Sequence, residues 1–309
     1  MSAQPSSPRR RARLWRAAAA VAVLIGLAGY LMVQYVTGGP GAPQCTVRAE
    51  GDTQEYELSP EQAANAATIS AVASSRGLSE RAVTIALATA MQESGLRNID
   101  FGDRDSVGLF QQRPSQDWGT VRQIMDPVYS AGEFYRHLAK VPGYSRLPLT
   151  VAAQRVQRSG YPQAYAKHEA NAARLTGALS GRDRDAMTCT ESRPVDGQAS
   201  GAAAVRERLV REFGAGVLLR TGDGKGRATG GGSGVTIPVR QSGAVGAGDA
   251  ERRGWELAMW AMAHSAELRI EQISYAGRMW RADDAGKGWQ REPDDSAVAA
   301  QHVRIVTAQ

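Results

Sequence analysis

Glu93 ends an apolar helix and carries small residues on its own face. Ala90, Thr89 and Ala86 precede it by three, four and seven positions, the spacings that share one side of a helix. Side chains of that size let a second helix approach closely and keep water away. A carboxyl group desolvated in this way has a raised pKa and serves as a general acid near neutral pH. The competing reading of the spacing is a solvated glutamate near a helix end. Asp100, Asp103 and Asp105 follow in a stretch rich in turn formers. Acid/base chemistry that needs a second carboxylate sets it nearby, and Asp103 or Asp105 is close enough along the chain to be the second. The alternative is turn chemistry across Gly102–Ser106. Proton transfer of this kind requires no cofactor. With no CxxC and no Cys/His cluster in the sequence, a structural zinc site is not expected.

The elements that must position Glu93 are legible from their caps. Ser59-Pro60-Glu61-Gln62 is a capping box with proline in the first helical position, opening a helix to about Ser75. Ser79-Glu80 opens a second helix that ends near Gly95. Residues 100–118 read as a loop or small hairpin. Asp126-Pro127 opens a third helix, Thr150 caps a fourth, and Pro162 starts a fifth running to about Leu179. Beyond a polar linker, helices are expected over Val205–Phe213 and Asp249–Leu268. Short strands are expected over Val217–Arg220, Val235–Arg240, Glu271–Tyr275 and His302–Val306. Residues 222–234 hold seven glycines but lack the GxxxxGK and following Ser or Thr of a phosphate loop, so they read as a flexible loop.

The first residues bear on location. Ala17 to Val36 is a run of 20 residues without a charge, enough helix to span a hydrocarbon core of roughly 30 Å. Arg9, Arg10, Arg11, Arg13 and Arg16 precede it, which leaves the N-terminus in the cytoplasm and the rest of the chain outside. A cleaved signal peptide is the alternative. Removing those five arginines from the formal charge of +6 leaves +1 for the remainder. A nearly neutral body excludes a nucleic-acid partner. Cys45 and Cys189 are the two cysteines, and in an exported chain they are expected to pair and staple the region between them.

Two linked motifs then carry a resemblance. Glu93-Ser94-Gly95-Leu96, followed after about ten residues of loop by Ser106-Val107-Gly108-Leu109-Phe110-Gln111, resembles the lytic transglycosylase and goose-type lysozyme superfamily over roughly residues 60–180. The stretch DRDSVGLFQQRPSQDWGT looks like a branch common in exported proteins of high-GC Gram-positive bacteria. The resemblance implies that Glu93 is the catalytic acid/base, that Ser106 and Gln111 line a sugar cleft, and that Gly108 lets the backbone approach the glycan. The family's third motif, Ala-Tyr-Asn-Ala-Gly, is altered here to Ala153-Gln154-Arg155-Val156-Gln157-Arg158-Ser159-Gly160-Tyr161-Pro162. Gln157 is the candidate for its polar role, with Tyr161 and Tyr165 as alternatives for the hydroxyl that orients the glutamate. Trp118 and Tyr144 are candidates for stacking on sugar faces, with a core role as the competing reading.

The tail, residues 254–280 with the ending QHVRIVTAQ, resembles a C-terminal domain of actinobacterial secreted proteins related in shape to zinc D,D-peptidases. Such enzymes need three protein ligands. Only His264 and His302 are available, and the closing His-Val-His reads His302-Val303-Arg304. A non-catalytic relative is therefore expected, binding cell-wall peptide or a division protein. The expected architecture is α+β: a basic cytoplasmic tail (1–16), a transmembrane helix (17–36), a linker (37–58), an all-α lysozyme-like domain (59–180), a second linker (181–201) and a small α+β domain (202–309). The expected partners are peptidoglycan glycan strands and the membrane, and the expected activity is cleavage of the glycan by a single glutamate. A non-catalytic scaffold and a water-using muramidase are the rival expectations.

Overall fold

A computed structural model describes residues 21, 23–29, 32, 43–49, 51, 53–159, 161–190, 201–218, 234–239, 247–292 and 301–308. The chain divides into two units, Met1–Ala42 and Pro43–Gln309. In the first, residues 21, 23–29 and 32 are helical and exposed. Much of the expected membrane span, the basic tail and the glycine-rich loop lie outside the described residues. Among the described residues no helix is long and apolar enough to cross a membrane.

The second unit is α+β. It opens with strands β1 (Cys45–Arg48) and β2 (Glu55–Leu58), paired antiparallel with Cys45 opposite Leu58. A third strand, β3 (Met187–Cys189), lies on the other side of β1 and sets Cys45 opposite Cys189. These two cysteines form the expected disulfide. The strands correct the reading of 37–58 and 181–201 as linkers. Each has only three or four residues, too few to show an alternating pattern, and long-range pairing across the staple holds them.

Helix α1 (Pro60–Ser75) has the predicted capping box and buries Ala63 through Ala73. Helix α2 (Glu80–Ser94) ends on Gly95, whose left-handed backbone (φ 64°) closes the helix as glycine does without strain. A one-turn helix α3 (Val121–Ile124) precedes α4 (Pro127–Leu138), whose cap Asp126 accepts from the amides of Val128 and Tyr129. Helix α5 begins earlier than expected, at Leu149, with Pro148 in the cap position, so Thr150 lies inside its first turn. Pro162 opens a 3-10 segment (Pro162–His168), and α6 starts only at Glu169 (Glu169–Leu179). Tyr165 within that segment is fully buried, so a tertiary contact sets the tighter winding.

The remainder is helix α7 (Ala202–Phe213), strand β4 (Gly234–Pro238), helix α8 (Ala247–Ala263) and strands β5 (Ile270–Tyr275), β6 (Arg278–Arg281), β7 (Gln290–Arg291) and β8 (His302–Thr307). The antiparallel sheet runs β4-β8-β5-β6-β7. Val217 and Leu218, expected in a strand, belong to a 3-10 turn (Ala215–Leu218). Strand β6 was not expected; Ala276 and Gly277, both at positive φ (48° and 71°), make the tight turn that folds it back on β5. Helix α8 packs on α1, β3 and β5, and buried residues of both halves belong to one core. The parts expected as separate domains thus share one packed interior.

Candidate active site

Glu93 is part-buried in the last turn of α2, and the small residues predicted on its face, Ala86, Thr89 and Ala90, are each fully buried. The Tyr165 hydroxyl donates to its Oε1 at 2.7 Å. Gln157, the last residue of α5, hydrogen-bonds to the same carboxylate and donates from Nε2 to the Phe110 carbonyl at 2.7 Å. Burial pushes the Glu93 carboxyl above its ordinary range, and the hydrogen bonds from Tyr165 and Gln157 pull partly against that. Burial, and then the adjacent Glu93, raises the Tyr165 phenol, so it remains a protonated donor. Of the two tyrosines left open by the altered third motif, Tyr165 is the one that reaches the glutamate. Tyr161 is 80% exposed and its backbone amide donates to Ser159 Oγ.

The loop after α2 is tied to the helix end. Ser94 Oγ donates to the Leu109 carbonyl at 2.8 Å, and Gln62 and Asn65 of α1 donate to the carbonyls of Gly95 and Leu96 at 2.8 and 2.9 Å. Residues 100–118, expected as a loop or small hairpin, form an irregular loop in which Val107 and Gln112 exchange backbone hydrogen bonds as an isolated bridge. Gly108 has φ 78°, and a Cβ there would stand 2.9 Å from the Ile124 carbonyl. Close packing on α3 therefore accounts for this glycine, where the resemblance implied room for a glycan. Gln111 spends its side-chain amide on the carbonyls of Phe101 and Gly108, both at 3.3 Å. Ser106 is buried within the same loop.

Four further candidates, two for sugar stacking and two for a second carboxylate, take other roles. Trp118 is buried and stacks on the His137 ring at 4.1 Å between centroids, a core role. Tyr144 packs against the same core. Asp105 accepts from Arg113 at 2.9 Å and from the Ser115 amide at 2.8 Å, contacts that hold it well below the usual carboxylate range. Its lone pairs are committed to the turn, and the Asp103 side chain is 91% exposed. Neither is built as the partner of Glu93.

Among the described residues no group of His, Cys, Asp and Glu is placed to hold a metal. His264, just past the end of α8, is fully buried between Glu212 and Glu267, while His302 lies opposite Pro238 in the sheet. A concavity of about 870 Å³ lies elsewhere, where Thr46, Asp185, Thr188, Trp255 and Arg278 meet. Its arginines are already ion-paired, Arg48 with Glu55, Arg184 with Glu251 and Arg278 with Asp185. The buried carboxyl with converging donors makes Glu93 the better candidate for chemistry.

The Tyr165 contact gives a direct expectation. Tyr165→Phe removes a hydrogen bond that favours the ionised form, so the Glu93 pKa rises further. The alkaline limb of the pH–rate profile should move to higher pH, and the maximal rate should fall by about tenfold, in keeping with a lost charge-assisted hydrogen bond. A limb that stays in place would assign the tyrosine to packing alone.

A family model described as VldE, C-terminal domain, matches residues 194–303. The segment from just past the disulfide-stapled region to the first residues of β8 is thus similar to that family, and the match does not reach the Glu93 motif. No curated protein matches the chain at a significant level.

Proposed function

We propose that the chain is a membrane-anchored, extracytoplasmic peptidoglycan lytic transglycosylase. The carrying observation is the part-buried Glu93 carboxyl, raised by desolvation and held by the Tyr165 hydroxyl at 2.7 Å. The resemblance of the two linked motifs to the lytic transglycosylase superfamily supplies the substrate class. The arginine-flanked apolar run supplies the location, with the N-terminus in the cytoplasm and the bulk of the chain outside a single-pass plasma-membrane helix.

In this reading protonated Glu93 gives its proton to the glycosidic oxygen between N-acetylmuramic acid and N-acetylglucosamine, and the bond from the anomeric carbon to that oxygen breaks. The muramic acetamido oxygen supports the positive charge at the anomeric carbon. Glu93, now a carboxylate, removes the proton of the muramic 6-hydroxyl, whose oxygen bonds to the anomeric carbon and closes a 1,6-anhydro ring. The glutamate ends protonated, ready for another turn. A single carboxylate suffices, which agrees with Asp105 being spent on Arg113 and Ser115. The C-terminal segment is the candidate surface for cell-wall peptide or a division protein.

Digestion of purified peptidoglycan by the full chain in detergent, with mass analysis of the released muropeptides, tests the proposal. Anhydro-muramic ends are expected. Reducing ends would move the assignment to a muramidase. Glycan binding without release would leave a wall-binding scaffold.

A further inference from the structure

Glu212 is a carboxylate with no exposed side-chain surface, on the apolar face of α7 with Val205, Leu209 and Phe213. Burying such a charge is costly unless donors surround it, and this one is surrounded. Trp260 Nε1 of α8 donates to its Oε2 at 2.7 Å, Arg208 stands 3.5 Å from Oε1, and His264 Nε2 stands 3.5 Å from Oε2. Burial by itself would push the carboxyl up, but His264, Trp260 and Arg208 outweigh it and hold the group below its ordinary value. The remaining donor comes from the other half of the molecule. Thr68 of α1 lies with its Oγ1 2.9 Å from Glu212 Oε1. The Ala64 carbonyl at 3.1 Å is the competing acceptor for that one proton, and the carboxylate is the stronger of the two.

Thr68 occupies a telling place on α1. Three and six residues before it stand Asn65 and Gln62, the side chains that hold the carbonyls of Leu96 and Gly95, the last two residues of the Glu93 motif. The same helix is gripped again at Ser74, whose Oγ accepts from Arg253 of α8 at 2.9 Å. Arg211, beside Glu212, pairs with Asp126, the cap of α4. One end of α1 therefore holds the catalytic segment while its middle and far end are bound to the C-terminal half.

We infer that Glu212 is a positioning residue for Glu93, acting through α1: by anchoring Thr68 it fixes the helix whose Gln62 and Asn65 hold the backbone at Gly95 and Leu96. The C-terminal half is then a working part of the catalytic unit as well as a docking module. This inference rests on the reading of Glu93 as the general acid.

Thr68→Val in the full chain keeps the shape of the side chain and removes the donor, and Thr68→Ser restores the hydroxyl. Two readouts are compared, amide hydrogen exchange at Gly95, Leu96 and Arg97, and the division of the kinetic effect between kcat and KM on glycan strands. In Thr68→Val, exchange at the three amides should quicken and kcat should fall with KM unchanged, each on the order of tenfold, the scale of couplings carried through packed elements. Thr68→Ser should return both to the wild-type values, and Glu212→Gln should reproduce the Thr68→Val pattern. Exchange and kcat unchanged in Thr68→Val, with only a lower melting temperature, would overturn the inference and leave Glu212 a structural residue. If the wild-type chain cleaves no glycan, the reading of Glu93 falls, while exchange at residues 95–97 still decides whether Glu212 positions that segment.

Discussion

Glu93→Gln is expected to lower glycan cleavage by about two to four orders of magnitude, the range for removing a positioned general acid. The carboxamide fills the same volume at the end of α2 and still accepts from the Tyr165 hydroxyl, so the site keeps its shape and glycan binding should persist. What disappears is the transferable proton. The substitution should also stabilise the fold at neutral pH. In the folded chain the Glu93 pKa lies above its unfolded value, because burial penalises the charged form. Its favourable contribution is complete below the unfolded pKa and is lost as pH rises through the folded one. The variant should therefore melt higher than wild type near about pH 8, and the gap should close toward about pH 4. This pairing of lost activity with gained stability is what a functional carboxyl in a desolvated position predicts. Cleavage within tenfold of wild type would remove Glu93 from the reaction.

The second large effect concerns the staple. The Cys45–Cys189 bridge closes 144 residues of sequence separation, and the chain-entropy account assigns about 5 kcal/mol to a loop of that length. At roughly 2–4 °C per kcal/mol for a unit of this size, the double variant Cys45→Ser/Cys189→Ser should melt at least about 10 °C lower. The bridge joins two cysteines already opposite each other on β1 and β3, so the folded state should survive its loss. Cleavage measured well below the new melting temperature should be nearly that of wild type, since the Tyr165–Glu93 and Ser94–Leu109 contacts lie within the bracketed segment and do not involve either strand. A melting temperature within about 2 °C of wild type would show that the unfolded chain gains little freedom when the bond is absent.

The helices were legible because their signals are local. The Ser59–Gln62 capping box, Asp126-Pro127 and the terminating Gly95 each satisfy helix-end groups within four residues, so neighbouring side chains decide the boundary. For Glu93 the helical spacing of small residues left a solvated glutamate as the competing reading, and it was the resemblance of the two linked motifs that singled it out. The cysteine pairing was expected from their number and from the export that the first residues suggest. Strands β1, β2 and β3 were hidden because a three- or four-residue strand is stabilised by partners up to 144 positions away and leaves no period in the chain.

The choice between Tyr161 and Tyr165 also needed tertiary structure. Tyr161 lies at the end of the altered third motif and Tyr165 just after it, and only the path of the 3-10 segment turns Tyr165 into the core against Glu93 while leaving Tyr161 in solvent. Gly108 and Trp118 carry types and places that suit a sugar cleft, yet the Ile124 carbonyl and the His137 ring are what each one meets. Glu212 left a faint signal, a carboxylate at an apolar position of a helical stripe, but its meaning came from Thr68, Trp260 and His264 converging on it from separate stretches of chain. By itself the sequence determined the ends of α1 and α2, the start of α4 and the cysteine pair, set by short-range spacing or by count, and it named Glu93 as the general-acid candidate through the two linked motifs. Which hydroxyl meets the glutamate, which glycine and aromatic are packing, and how the two halves share one core were decided by the tertiary structure, because each depends on contacts between residues far apart in the chain.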